Sequence, residues 1–297
     1  MSVLQIENIS KSYGKIQALY NLSFGIPEGC VFGVLGPNGS GKTTLLSIIL
    51  DVLKADKGHF LWFGQPGSKD QRKKIGSLLE TPNFYHYLSA VNNLTITSNI
   101  SGRGNKEHII EVLQKVKLFE RRNSRFSTYS LGMKQRLAIA AALLGHPGVL
   151  VLDEPTNGLD PVGIAEIREL MIELNKKGHT IIMASHLLDE VEKVCTHVAI
   201  LKKGELITTG DVNDVLADED MVELSAENME ALLTTMRNYP KEHKLKQEGN
   251  RLQLLLPKGT AQLEDINQFC FSKGIVLNHL LFKKKRLETK FFELTNN

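Results

Sequence analysis

The chain has 297 residues, with 36 Lys+Arg against 33 Asp+Glu for a net charge of +3, and is 42% hydrophobic and 23% charged. This is the mixture of a globular protein built as one large domain plus a small one, or two of similar size, with a core that needs no disulfide staples. The near balance of charge argues against a dedicated nucleic-acid binder, and three scattered cysteines, Cys30, Cys195 and Cys270, argue against a disulfide framework or zinc ribbon and for a reducing compartment.

The opening Met1-Ser2-Val3-Leu4-Gln5-Ile6-Glu7 has no basic run followed by an apolar block, so no secretory signal is expected. Short runs rich in Val, Ile and Leu follow at 30–35, 75–79, 149–152, 180–184 and 198–201. Strands buried on both faces of a parallel sheet read this way. Helical patterns fill the gaps at 43–53, 107–119, 131–144, 162–176 and 187–195, with the helices as crossovers. The stretch from about 84 to 147 is mostly helical and is expected to form a subdomain on that sheet. The uncharged stretch 137–152 is shorter than the roughly 18–20 residues of a spanning helix and is broken by His146-Pro147-Gly148, so no direct membrane insertion is expected.

Near residues 216–220 the pattern changes. Strand 221–225, helix 226–238, strand 243–247, a Glu248-Gly249-Asn250 turn, strand 251–256, helix 261–273 and strand 275–282 resemble a βαββαβ order, and a last short helix is expected at 287–294. The expected organisation is thus α/β: residues 1–216 as a P-loop domain with a mostly parallel sheet and a helical subdomain, and 221–297 as a small α+β accessory domain. Residues 221–297 hold 12 Lys+Arg and 9 Asp+Glu, which leaves 24 of each before them, so the whole positive excess lies in the tail. The run Lys283-Lys284-Lys285-Arg286 reads as a solvated strand end that guards an edge.

Gly36-Pro37-Asn38-Gly39-Ser40-Gly41-Lys42-Thr43 fits G-x-x-x-x-G-K-[ST], directly after a strand pattern and opening a helix pattern. Glycines let the backbone wrap a triphosphate with successive N–H groups pointing inward, and the helix start adds a favourable dipole. Lys42 reaches the β- and γ-phosphates, the Thr43 hydroxyl can ligate Mg²⁺, and Thr44 completes the nucleotide-binding set. The bare pattern arises by chance in roughly one chain of this length in a hundred, and the flanks lower those odds. The second half of the site is Leu150-Val151-Leu152-Asp153-Glu154, a buried strand that ends in two carboxylates. Asp153 is read as an Mg²⁺ ligand, and Glu154 as the group that orients or deprotonates the attacking water.

At this point residues 1 to about 215 resemble the ATP-binding subunits of ABC transporters. Tyr13 in Lys11-Ser12-Tyr13-Gly14 resembles the aromatic that stacks on adenine. Tyr129-Ser130-Leu131-Gly132-Met133-Lys134-Gln135-Arg136 resembles the signature loop, usually Leu-Ser-Gly-Gly-Gln; Ser130 and Gly132 match, and Leu131 and Met133 depart. Asn157-Gly158-Leu159-Asp160-Pro161 resembles the loop that crosses the dimer interface, with Asp160 the matching residue, and His186 matches the switch histidine. Glu80 stands where the family normally has a glutamine that links Mg²⁺ or water to the transmembrane partner. Glu80 together with Ser-Leu-Gly-Met resembles the branch that exports lantibiotics, bacitracin and similar peptides, and the tail domain is similar to the accessory tail of many drug- and peptide-export ATPases.

The resemblance implies a Mg²⁺-dependent ATPase that closes on ATP as a head-to-tail pair, homo- or heterodimeric, each ATP held between residues 36–43 of one subunit and 130–132 of the other. It implies a separate transmembrane permease as partner, an exporter of peptide- or antibiotic-like or drug-like substrates, no nucleic acid, and a place at the inner face of the cell membrane through that permease. Two other readings stay beside it. One is an ABC-type ATPase that regulates or remodels something other than a permease; the other is a nucleotide sensor without turnover, against which Glu154 stands.

Overall fold

The computed structural model describes residues 2–79, 83–216, 219–283 and 291. Glu80 therefore lies outside the described residues, as do Lys284-Lys285-Arg286 and, apart from Phe291, the whole of the expected last helix.

The chain opens with two strands that the sequence pattern does not announce. β1 (Ser2–Tyr13) and β2 (Ile16–Pro27) form a long antiparallel hairpin. Leu4, Ile6 and Ile9 are buried on β1, and Leu22, Phe24 and Ile26 on β2. The register shifts between Ile6 and Ile9, where Asn8 takes φ 52, so the alternation of apolar and polar residues slips out of phase. β3 (Val31–Leu35) is buried at all five positions. It leads through the glycine-rich loop at 36–41 into α1 (Lys42–Ile49), which ends four residues short of the expected 53 because Leu50 caps it and Asp51 turns to φ 61. β4 (Lys57–Trp62) and β5 (Gln65–Pro66) return to the hairpin and complete a four-stranded antiparallel sheet, β2-β1-β4-β5.

α2 (Lys69–Lys73), whose first turn is capped by the Ser68 hydroxyl, leads into β6 (Ile75–Leu78). Three helices follow, each begun by a polar side chain that accepts a first-turn N–H. α3 (Ala90–Ser101) is capped by Ser89, α4 (Lys106–Lys115) by Asn105 and α5 (Leu131–Leu143) by Ser130. α4 buries Ile109, Val112 and Leu113, a single stripe at helical spacing. α5 buries Leu137, Ala138, Ile139, Ala140, Ala142 and Leu143, so it is enclosed nearly all round. It packs against β6 closely enough that a Cβ at Gly76 would run into the Ala142 carbonyl. Gly76→Ala is accordingly expected to destabilise the chain by about 1–3 kcal/mol. A urea denaturation midpoint equal to that of the parent would contradict this packing.

The rest of the first unit alternates strand and helix: β7 (Val149–Asp153), α6 (Pro161–Lys176), β8 (Thr180–Ser185), α7 (Leu188–Val194), β9 (His197–Lys202) and β10 (Glu205–Asp211). The six-stranded sheet runs β10-β9-β3-β8-β7-β6, parallel except for β10, which folds back on β9. This is the α/β arrangement the apolar runs predict, and every residue of β7 and β8 is buried.

Contacts divide the chain between Asp211 and Val212. The second unit begins with α8 (Val212–Leu216) and continues with β11 (Glu219–Ala226), α9 (Met229–Met236), β12 (Lys244–Glu248), β13 (Arg251–Pro257), α10 (Leu263–Ser272) and β14 (Leu277–Lys283). α9 starts later than the expected 226 because β11 extends through Ala226 and Asn228 supplies the cap. The four strands form an antiparallel sheet in the order β12-β13-β11-β14. Val222, Leu224, Leu252, Leu254 and Leu256 bury one face beneath Leu232, Met236, Ile266 and Cys270. Lys283, the first residue of the basic run, pairs with the buried carboxylate of Glu223, which Arg251 also holds at 2.8 Å. Those two cations keep the Glu223 carboxyl below the usual range.

Cys30, Cys195 and Cys270 are all buried free thiols. Burial pushes the Cys30 thiol up to about 11. Among the described residues no helix is long and apolar enough to cross a membrane.

Candidate nucleotide site

The loop 36–43 leaves the carboxyl end of β3, which is flanked by β8 and β9 at Leu35↔Ser185 and Leu35↔Ile200. Gly36 is buried, and a Cβ there would strike the Ser40 side chain and come within 2.5 Å of the Leu201 carbonyl. Gly41 takes φ +103, with Leu19 Cδ2 and Ala18 O at 2.5 and 2.6 Å from where a Cβ would stand. Both positions demand glycine, one for space and the other for conformation as well. Pro37, Asn38 and Gly39 are exposed at the tip, Ser40 is buried, Thr43 is exposed and Thr44 half-buried.

The loop is braced from behind by residues the sequence pattern does not single out. The Gly204 N–H donates to Ser40 O at 3.1 Å, and the Tyr20 N–H donates to Gly204 O at 2.7 Å. The Lys203-Gly204 turn between β9 and β10 was the one local signal for this brace, since Lys203 and Gly204 both take positive φ. No side chain caps the start of α1, because the residue before it is Gly41. Its first-turn N–H groups are thereby left to an anion.

Lys42 is only 6% exposed. Its Nζ donates to Gly36 O at 2.8 Å and Pro37 O at 3.3 Å, and lies 3.8 Å from Glu154 Oε1. Burial pushes the ammonium below its usual value, against the opposing pull of Glu154 and Asp153.

β7 and β8 end level with β3, in register Asp153↔Ala184 beside Leu35↔Ser185. Glu154 and His186 lie just beyond those ends. Asp153 is 4% exposed. Glu154 adopts φ 47, a conformation that costs a non-glycine residue about 1–3 kcal/mol, and its N–H donates to Ala184 O at 3.1 Å. The turn aims its carboxylate sideways along the strand ends. Oε2 meets His186 Nδ1 at 2.8 Å while Oε1 faces Lys42. Three side chains from positions 42, 154 and 186 thus stand in one row, and strand register is what assembles them.

Ser130, Gly132 and Asp160 form a different surface. Ser130 Oγ accepts the Met133 N–H at 3.3 Å and Asp160 Oδ1 accepts the Gly163 N–H at 2.9 Å, so the two residues cap neighbouring helices, α5 and α6. They line a cleft of about 390 Å³ together with Gly158 and Leu159, and no residue of the loop 36–43 lines it. Leu131 and Val162 stand exposed on this face. The residues singled out in the sequence therefore divide into two groups, one around the loop and one around the helix caps.

Tyr13 is half exposed at the end of β1, where β1 pairs into the β2 hairpin, and is not part of the core. Lys11 Nζ lies 5.8 Å from its ring centre and is itself paired with Asp56 at 2.7 Å.

The sequence pattern of the ABC transporter family matches residues 19–157. YhcH of Bacillus subtilis, an uncharacterized ABC transporter ATP-binding protein, is 38% identical over 99% of this chain and 96% of its own length. The lantibiotic transport ATP-binding protein SrtF of Streptococcus pyogenes is 40% identical over 69% of this chain and 89% of its own. The dimeric post-hydrolysis state of the ATP-binding cassette MJ0796, bound to ADP and Pi, superimposes with a TM-score of 0.62 at 28% identity, covering 70% of this chain and 98% of that one. Kinship with YhcH that runs almost end to end, and a family pattern that takes in both the phosphate loop and the carboxylate strand, show that the chain belongs to the ATP-binding subunits of ABC transporters, ATPases coupled to transport.

Proposed function

We propose that the chain works as one half of a head-to-tail pair, with itself or with a similar subunit, and powers a separate transmembrane permease that exports peptide antibiotics. The observation that carries this reading is the row formed by Lys42, Glu154 and His186, in which one carboxylate is divided between an ammonium and an imidazole at the mouth of a phosphate loop. SrtF, whose name is that of a lantibiotic transporter, supports the class of cargo, as do Glu80 and the Ser-Leu-Gly-Met departures. The family favours transport over the regulatory and sensing readings.

In this mechanism the backbone N–H groups of residues 38–44 and the Lys42 ammonium hold the β- and γ-phosphates of ATP, and Tyr13 stacks on the adenine. The Thr43 hydroxyl and the buried Asp153 carboxylate offer only hard oxygen donors, which suits Mg²⁺, and the resemblance assigns Glu80 to the same ion. When bound, Mg²⁺ neutralises charge on the phosphates. Glu154 orients the attacking water and takes its proton as the new oxygen–phosphorus bond forms and the bond to the β-phosphate oxygen breaks. His186 Nδ1 holds the carboxylate in line, and in this reading its ring contacts the γ-phosphate. Ser130 and Gly132, at the start of α5, close on the nucleotide of the partner subunit, and Asp160 lies across the same seam. Neither surface alone surrounds a γ-phosphate, so ATP draws two subunits together and its cleavage lets them part. The chain stands at the inner face of the cell membrane through its permease.

The test is isolation of the tagged full chain from its native membranes in mild detergent. A multi-span protein is expected to come with it, and a cationic peptide antibiotic is expected to raise the rate of phosphate release by that complex. Isolation without any multi-span protein, with and without ATP, would overturn the assignment.

A further inference from the structure

The two helices that begin at the partner-facing cleft are joined by a link that the phosphate chemistry does not use. Arg136 on α5 and Glu166 on α6 form an ion pair, Nη2 to Oε2 at 3.2 Å. Arg136 lies six residues beyond the cap Ser130, and Glu166 lies six residues beyond the cap Asp160. At about 1.5 Å per residue, both ends of the link sit roughly 9 Å down their helices. It is a crossbar at equal depth below the two caps, and both of its residues line the cleft.

Stability does not explain it. Arg136 Nε is buried and has no hydrogen-bond partner among the described residues, which is an energetic cost. The Glu166 side chain is 39% exposed, and a pair so placed contributes little net free energy. What the pair supplies is a tie between the two helices, a single charged contact from Nη2 to Oε2 that holds α5 and α6 together at that depth. Above the crossbar the two helix starts meet through leucines laid against glycines, an apolar contact that fixes no charge or hydrogen bond: a Cβ at Gly158 would stand 3.1 Å from Leu131 Cδ2, and one at Gly132 would stand 3.9 Å from Leu159 Cδ2.

We propose that Arg136 and Glu166 are a positioning pair for ATP-driven pairing: they set Ser130 and Asp160 at the spacing that receives the nucleotide of a second subunit, and leave binding at the chain's own loop untouched. This rests on the two-subunit reading above. The pair acts through the helix caps and touches neither ATP nor water.

The test uses the full chain carrying Glu154→Gln, so that hydrolysis does not dissolve the complex. Arg136→Glu and Glu166→Arg are added singly and together, with Arg136→Lys as the conservative variant. Equilibrium binding of a fluorescent ATP analogue to the dilute monomer reads the loop, and sedimentation in Mg·ATP reads pairing. Each single reversal is expected to keep nucleotide binding within about twofold while weakening pairing by about tenfold or more, since like charges then face each other. The double reversal is expected to recover most of the loss, and Arg136→Lys to fall between parent and Arg136→Glu. Single reversals that pair as the parent does, a double reversal as weak as the singles, or a loss of nucleotide binding equal to the loss of pairing would each overturn the proposal. A Glu154→Gln parent that stays monomeric overturns the two-subunit reading and this inference with it. A parent that pairs, together with single reversals that pair equally well, overturns this inference alone.

Discussion

Glu154→Gln is expected to bind ATP at least as tightly as the parent, to hydrolyse it about 10²–10⁴-fold more slowly, and to accumulate as an ATP-bound dimer. The substitution keeps the shape and removes only the charge and the basicity. A glutamine accepts the same φ of 47 as poorly or as well as a glutamate, so the turn after β7 has no new reason to move. Its amide oxygen still reaches His186 Nδ1, the contact that stands at 2.8 Å in the parent. On the proposed mechanism, what is lost is the group that takes the proton of the attacking water. Binding does not suffer, because the carboxylate 3.8 Å from Lys42 repels a polyphosphate and its removal relieves that repulsion. Steady-state phosphate release and sedimentation in Mg·ATP measure the two effects. A hydrolysis rate within a few-fold of the parent would remove Glu154 from the role of general base.

The second large effect is expected at Lys42. Its ammonium is nearly enclosed, held by the Gly36 and Pro37 carbonyls at the base of the loop and facing Glu154. Lys42→Ala takes away the cation that the β- and γ-phosphates meet and leaves Glu154 and Asp153 without the positive charge between them and the triphosphate. Truncating one partner of a buried, hydrogen-bonded charge pair costs about 2–5 kcal/mol, roughly a 30- to several-thousandfold loss of affinity. Calorimetric titration with a non-hydrolysable ATP analogue measures it. The contrast between the two variants is the diagnostic feature: Lys42→Ala loses the nucleotide, whereas Glu154→Gln keeps it and cannot release it by hydrolysis. An affinity within about threefold of the parent in Lys42→Ala would mean that the loop N–H groups alone carry the phosphates.

Both variants draw on information that is local along the chain. A glycine-rich loop between a strand and a helix is legible because its three ingredients are contiguous, and each is required by backbone geometry, as Gly36 and Gly41 show. The strands that carry the site are legible for a similar reason. β3, β7 and β8 are buried on both faces, so the residues between their ends are all apolar, and Asp153 marks one end clearly.

Other elements are hidden because a half-exposed strand with a bulge has neither a continuous nor a strictly alternating pattern. β1, β2 and β4 are of this kind, and their sheet forms from pairings such as Ile6↔Phe60 that only the folded chain brings together. The small tail unit was easier, since β11 and β13 each carry a buried apolar residue at every second position, Val222, Leu224 and Ala226 on one and Leu252, Leu254 and Leu256 on the other.

From its residues alone this protein declared a glycine-rich loop between strand and helix, a carboxylate pair and the kind of sheet that holds them, because those depend on neighbours in sequence. Tertiary structure alone decided which side chains face one another. Strand register put His186 against Glu154 and turned Glu154 toward Lys42. Helix packing carried Ser130 and Asp160 to a cleft of their own and joined Arg136 to Glu166 beneath it. Contacts between residues 30 to 112 positions apart leave no periodic trace in the chain, and they settle the geometry on which the chemistry depends.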